Sequence, residues 1–172
     1  MAKLNPQSIG AVMPHGQAGS YARQPDMIIN TRPAGGESPI NFGLAVVYDE
    51  NKNVVLPTAS STADQFIGVA SREINTALNY LEQGVGQYAP GDAVSVFQRG
   101  AINVKCQNGT PKIGADVYIR VKANTAYPKA VVGGFEAVSD TTNSVKITNA
   151  QWAGSADANG IAELRILTMI NA

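Results

Sequence analysis

Residues 91–109 read GDAVSVFQRGAINVKCQNG. Apolar and small or polar residues alternate through the stretch twice. Val94 and Val96 fall on one face of a first strand, and Ile102, Val104 and Cys106 on one face of the next. Arg99-Gly100 between them reads as a turn, so the expectation is two short strands that each bury one side. Free cysteine is among the most buried residue types, and Cys106 is read as a small core hydrophobe. Almost nothing in this regular β-sequence could perform chemistry.

The same grammar extends outward from Phe42. Short apolar runs (FGLAVVY, NVVLP, QFIGVAS, DVYIRVK, AVVGGFEAV, NSVKIT and IAELRILTMI) recur about every ten residues. Turn residues such as Pro90-Gly91, Asn108-Gly109, Gly133-Gly134, Thr142-Asn143 and Asn159-Gly160 separate most of them. The pattern predicts an all-β fold, a small β-barrel or β-sandwich body. In the last run Ala162, Leu164 and Ile166 share a face, whereas Leu167 and Met169 have the opposite parity, which predicts a bulge near Ile166 or burial of both faces. REINTALNYLEQG, residues 72–84, is ambiguous: Ile74, Ala77, Leu78 and Leu81 have helical spacing, and a long Asn- and Thr-rich connection competes.

Residues 1–40 differ. They hold five prolines and repeated glycines, with hydrophobics scattered between them. Proline removes ladder donors and blocks helix, so this segment is read as an extended N-terminal arm, with DMIIN a short strand within it and 41–172 as the β-rich body. The alternative is a segment wrapped around its own core.

The chain's 172 residues suffice for one good core plus an arm. Lys plus Arg and Asp plus Glu number 13 each, so no net charge draws it to nucleic acid or to an anionic membrane. Charged residues are only 15% of the chain, against roughly 25% in an ordinary soluble domain. A surface so weakly charged suits contact with other protein. No apolar stretch approaches the roughly 20 residues that span a bilayer. Cys106 is the single cysteine, and MAKLNPQSIG lacks a basic start followed by an apolar run. Folding in a reducing cytoplasm is the expectation.

The search for chemistry finds no catalytic, metal or cofactor-binding constellation. His15 is the sole histidine, with no partner at metal-ligand spacing, and it reads as structural or solvent-exposed. Asp157, Asn159 and Gly160 superficially suggest a calcium loop, but Thr168 stands where its glutamate belongs, so a β-turn is expected. GVGQYAPG leads into a strand, not into the helix that a phosphate cradle requires. The aromatics are dispersed without interleaved basic residues, and carboxylates such as Glu136 and Asp140, or Asp49 and Glu50, have no evident reason to pair.

Seven segments in order (GSYARQPDMIINTRPA, INFGLAVV, FIGVASREI, YAPGDAVSVFQRGAINVK, GADVYIRV, VVGGFEA and DANGIAELRILT) resemble the structural cement, or capsid decoration, proteins of tailed bacteriophages. The likeness runs from about Gly19 to the C-terminus, and residues 76–87 look like a variable insertion. The resemblance implies a non-enzymatic virion protein, made in the bacterial host cytoplasm. It would sit on the outer surface of the major capsid protein lattice and tie neighbouring subunits together. Its expected partners are that protein and itself, as a homotrimer or secondarily a dimer, with no nucleic acid and no membrane. The arm segment 2–30 is expected to make the inter-subunit contact, with Ile9, Val12, Met13, Tyr21 and Arg23 as anchors. A head-fibre base or carbohydrate-binding host-recognition module is the alternative. It requires exposed aromatics, which Tyr80, Tyr88 and Trp152 would supply. A cell-wall hydrolase is a third reading, disfavoured by the missing His and carboxylate constellation.

Overall fold

The computed structural model describes residues 14–73 and 86–169. The opening stretch forms one strand, β7 (Ala93–Asn108), sixteen residues long and unbroken. The predicted turn at Arg99-Gly100 is therefore absent. Gly100 has φ +110°, and a Cβ built on it would lie 2.1 Å from the Asp26 carbonyl oxygen. This glycine serves a close backbone approach, which in sequence looks the same as a turn.

What changes at Gly100 is the company β7 keeps. Ahead of it, Val96 and Phe97 pair with Ala70 and Val69 of β5 (Phe66–Ala70). From Gly100 to Lys105 the partner is β12 (Ile161–Ile166), antiparallel. Along the opposite edge runs β1 (Tyr21–Pro33), antiparallel, paired from Pro33↔Ala93 to Tyr21↔Ile102 with three register shifts between Tyr21 and Ile29. Much of the segment 1–40 expected as an arm is thus a strand of this sheet, longer than the predicted DMIIN.

The remaining strands are β2 (Ile40–Asn41), β3 (Ala45–Tyr48), β4 (Val54–Val55), β6 (Gln87–Tyr88), β8 (Val117–Arg120), β9 (Phe135–Glu136), β10 (Ser144–Ile147) and β11 (Ala150–Trp152). The main sheet runs β10-β8-β9-β7-β5-β3-β4, while β2 and β6 form a separate pair. No described pairing joins β10 to β4, so the sheet curls without closing. The body is all-β and sandwich-like, with one 3₁₀ turn at Ala63–Gln65 and no α-helix among the described residues.

β7 feeds two cores. Val94 and Val96 enter a cluster with Ile40, Val46, Val54, Ile67 and Tyr88. Phe97, Ile102 and Val104 enter a larger one with Phe66, Phe135, Trp152, Leu164 and Ile166. Phe97 and Ile102 have opposite sequence parity yet face the same core. A register shift between Ile28↔Arg99 and Ile29↔Phe97 inserts an extra residue in β7 and reconciles them. Cys106 is only half-buried against the larger core, not fully inside, and its thiol faces the Asn108 carbonyl at 3.3 Å.

The C-terminal run contains no bulge against β7, and its first half is buried on both faces, Ile161 and Glu163 on one and Ala162 and Leu164 on the other. β12 ends at Ile166, and Leu167 and Met169 are 41% and 39% exposed beyond the core. The ambiguous segment 72–84 lies, from residue 74 onward, outside the described residues.

Candidate interaction surface

Residues 14–20 lie against the sheet. The His15 backbone N–H donates to Asp157 Oδ2 at 3.0 Å, and Asn103 Nδ2 donates to the His15 carbonyl at 2.8 Å. Asp157 closes the predicted β-turn. Its Oδ1 accepts from the Asn159 and Ile161 N–H groups, and Gly160, at φ +77°, donates to its carbonyl. Burial pushes this carboxyl up, but the N–H groups of Ile161, His15 and Asn159 together hold it below its ordinary value. His15 thus takes a structural place beside a turn, and no metal-ligating cluster of three or more side chains occurs among the described residues.

Of the five expected anchors, Ile9, Val12 and Met13 lie outside the described residues. Tyr21 and Arg23 begin β1 on opposite faces. The Tyr21 ring stacks on Phe97 at 5.7 Å, and its hydroxyl donates to the Glu73 carboxylate. Burial, reinforced by Glu73, pushes the Tyr21 pKa up to about 12. Arg23 points outward, its side chain 71% exposed. It grips the largely buried Glu163 of β12, with Nε 2.7 Å from Oε1 and Nη2 3.1 Å from Oε2.

Between Arg23↔Ala101 and Ile28↔Arg99 the register skips, so Gln24–Met27 leaves the ladder as a short excursion. Pro25 sits there, where a missing N–H forfeits no ladder bond. The excursion brings Asp26 to 3.2 Å from Arg99 Nε and 3.8 Å from Arg165 Nη2. A trough of about 140 Å³ opens between these groups, lined by Arg23, Gln24, Asp26, Gly100, Ala101 and Arg165.

At the far end of β7 an apolar surface is exposed. Val131 is tied by its backbone N–H to Gln107 Oε1, and Val138 packs on Gly109. With Tyr127 they stand in solvent, as does Ile113 on the next loop. Beneath Tyr127 lies an ionic cluster that the sequence did not reveal. Arg120 is fully buried, its Nε 2.7 Å from Glu136 Oε1, its Nη2 2.8 Å from Asp140 Oδ2 and its guanidinium 5.6 Å from the Tyr127 ring. Burial raises the Glu136 pKa, with Arg120 opposing it, while the Asn124 amide lowers that of Asp140. Both carboxylates are thus committed to one arginine. The only sequence signal was Arg120 set among the buried Val117, Ile119 and Val121.

An exposed aromatic platform is not present among the described residues. Trp152 and Tyr88 are buried, and Tyr80 lies outside them. Instead the surface offers fixed β-strands, an arginine-rich trough and isolated apolar groups, which suits docking against protein. No described helix is long and apolar enough to cross a membrane.

A model of the family described as structural cement protein (E217 gp24/Pam3 gp6) matches residues 6–167. Among solved structures, the chain is similar to one in "The capsid of Myoviridae Phage XM1", with 16% identity and a TM-score of 0.71. The alignment covers 97% of this chain and 99% of that one, and at such identity it establishes the fold. No curated protein matches the chain.

Proposed function

The chain belongs to the structural cement protein family, and on that premise we propose that it binds the outer surface of the major capsid protein lattice and staples neighbouring subunits of a bacteriophage head. The match across residues 6–167 carries this reading. The all-β body supports it: two apolar cores meet along β7 and resist deformation, while the outer surface carries few charges. The role is structural, and the protein transforms no substrate.

The mechanism is additive. Each copy buries a modest apolar area at about 25 cal/mol per Å². A copy that bridges two capsid subunits makes the separation of either break several contacts at once. Many copies then oppose the pressure of packaged DNA. Capsid lattices present local symmetry axes, which favours a closed oligomer, a homotrimer first and a dimer second. Ile9, Val12, Met13, Tyr21 and Arg23 are the proposed contacts, and of the two in the described body Arg23 is the exposed one. A deletion that tests the arm must stop at residue 13, because removing residues up to 30 would strip most of β1 from β7.

The test is the composition of purified virions by mass spectrometry, with a reconstruction of the particle. The expected result is this protein in fixed ratio to the major capsid protein, as density outside the shell. Its absence from particles would refute the role.

A further inference from the structure

Arg23 of β1 and Arg165 of β12 are both Cα partners of Ala101 in β7. The three residues form one row across three strands. In the next row, Tyr21, Ile102 and Leu164, the last two are fully buried, so alternation points the arginine row away from the core. Two strand spacings place the arginine Cα atoms about 9.5 Å apart. The middle residue offers only a methyl group, and the trough of about 140 Å³ is the space above it.

Like charges placed in this way repel, and the surroundings compensate them only in part. Glu163 holds Arg23 through two short bonds. Asp26 is shared by Arg99 and Arg165, and reaches Arg165 only at 3.8 Å. Three guanidiniums thus face two carboxylates, an excess of one positive charge (3 − 2) in a chain whose totals balance at 13 each. Arg165 is 55% exposed and the most weakly engaged of the three.

We propose that this trough takes up an acidic side chain of the capsid subunit on which the protein sits, an inference that rests on the cement reading. The carboxylate lies over Ala101, where Arg165 presents its planar fork and the outer N–H groups of Arg23 flank it. A nucleic-acid backbone is a poor occupant, since one surplus charge does not hold a line of phosphates.

The experiment measures binding of the full-length protein to capsids prepared without it, across a range of salt. Arg165→Glu is expected to weaken binding about tenfold or more at low salt and to flatten the salt dependence, with Arg165→Gln intermediate. Ala101→Leu fills the trough without changing charge and should weaken binding at all salt concentrations. Lys112→Glu, an equal reversal on an exposed loop, should bind like the parent. Parent-like affinity and salt slope in Arg165→Glu and Arg165→Gln would overturn the proposal, as would an equal loss in Lys112→Glu. Loss of self-association with capsid affinity unchanged would place a second copy in the trough and also overturn it. If the parent protein fails to bind capsids at any salt, the cement reading itself fails, an outcome distinct from the others.

Discussion

Replacing Gly100 by alanine is expected to destabilise the whole sheet, because β7 passes the Gln24–Met27 excursion without room for a side chain. The new Cβ would lie 2.1 Å from the Asp26 carbonyl oxygen, where real Cβ contacts do not fall below 3.0 Å, so the excursion must retreat by at least 0.9 Å (3.0 − 2.1). The backbone at φ +110° adds strain of about 1–3 kcal/mol for a residue with a Cβ. Stiffening of the unfolded chain returns about 0.4–1 kcal/mol. With the displaced contact included, a net loss of about 2–4 kcal/mol follows. In a chain of this length, each kcal/mol lowers Tm by about 2–4 °C, so the melting point should drop by about 5–15 °C. Differential scanning calorimetry measures it. Gly154→Ala is the control, since nothing lies within 4 Å of its Cβ position, and it should shift Tm by less than about 2 °C. A Gly100→Ala protein that melts within that same margin would refute the argument that β7 needs this glycine for close approach.

Arg120→Ala should cost about 3–5 kcal/mol in chemical denaturation, because it leaves Glu136 buried without its partner, whereas Arg120→Met combined with Glu136→Leu should recover most of the loss. Tyr21 keeps its proton more tightly folded than unfolded, so its contribution is complete below pH 10 and fades as pH rises from 10 toward about 12. Melting curves over that window should show Tyr21→Phe losing less stability than the parent. Burial raises the Cys106 pKa, so alkylation of the native protein at pH 8 should be slow and should accelerate sharply on denaturation. Fast labelling of the native protein would contradict its half-buried place.

Alternation made most strands legible. Val94 with Val96 and Ile102 with Val104 mark buried faces without any knowledge of partners, and Asp157 to Gly160 announces its turn through side-chain chemistry. The continuity of β7 was hidden, because a glycine that accommodates a neighbouring backbone looks the same in sequence as one that reverses the chain. The Arg23, Ala101 and Arg165 row was hidden for another reason: register across three distant segments decides it, and no local pattern encodes register. Arg120 was missed because an arginine amid apolar residues on one strand gives no hint that carboxylates from β9 and the loop after it close around it. Trp152 and Tyr88, which a sugar-binding module would need at its surface, are buried, because large aromatics go first to the core when the fold gives them a place there.

A protein that stabilises a shell by docking on it must raise the temperature at which that shell fails, and thermal challenge of capsids measures this. Capsids purified without the protein should take it up to a fixed stoichiometry and then withstand a higher temperature before they rupture. Capsids that rupture at the same temperature with and without saturating protein, or that never retain it, would show that the protein does not cement the shell.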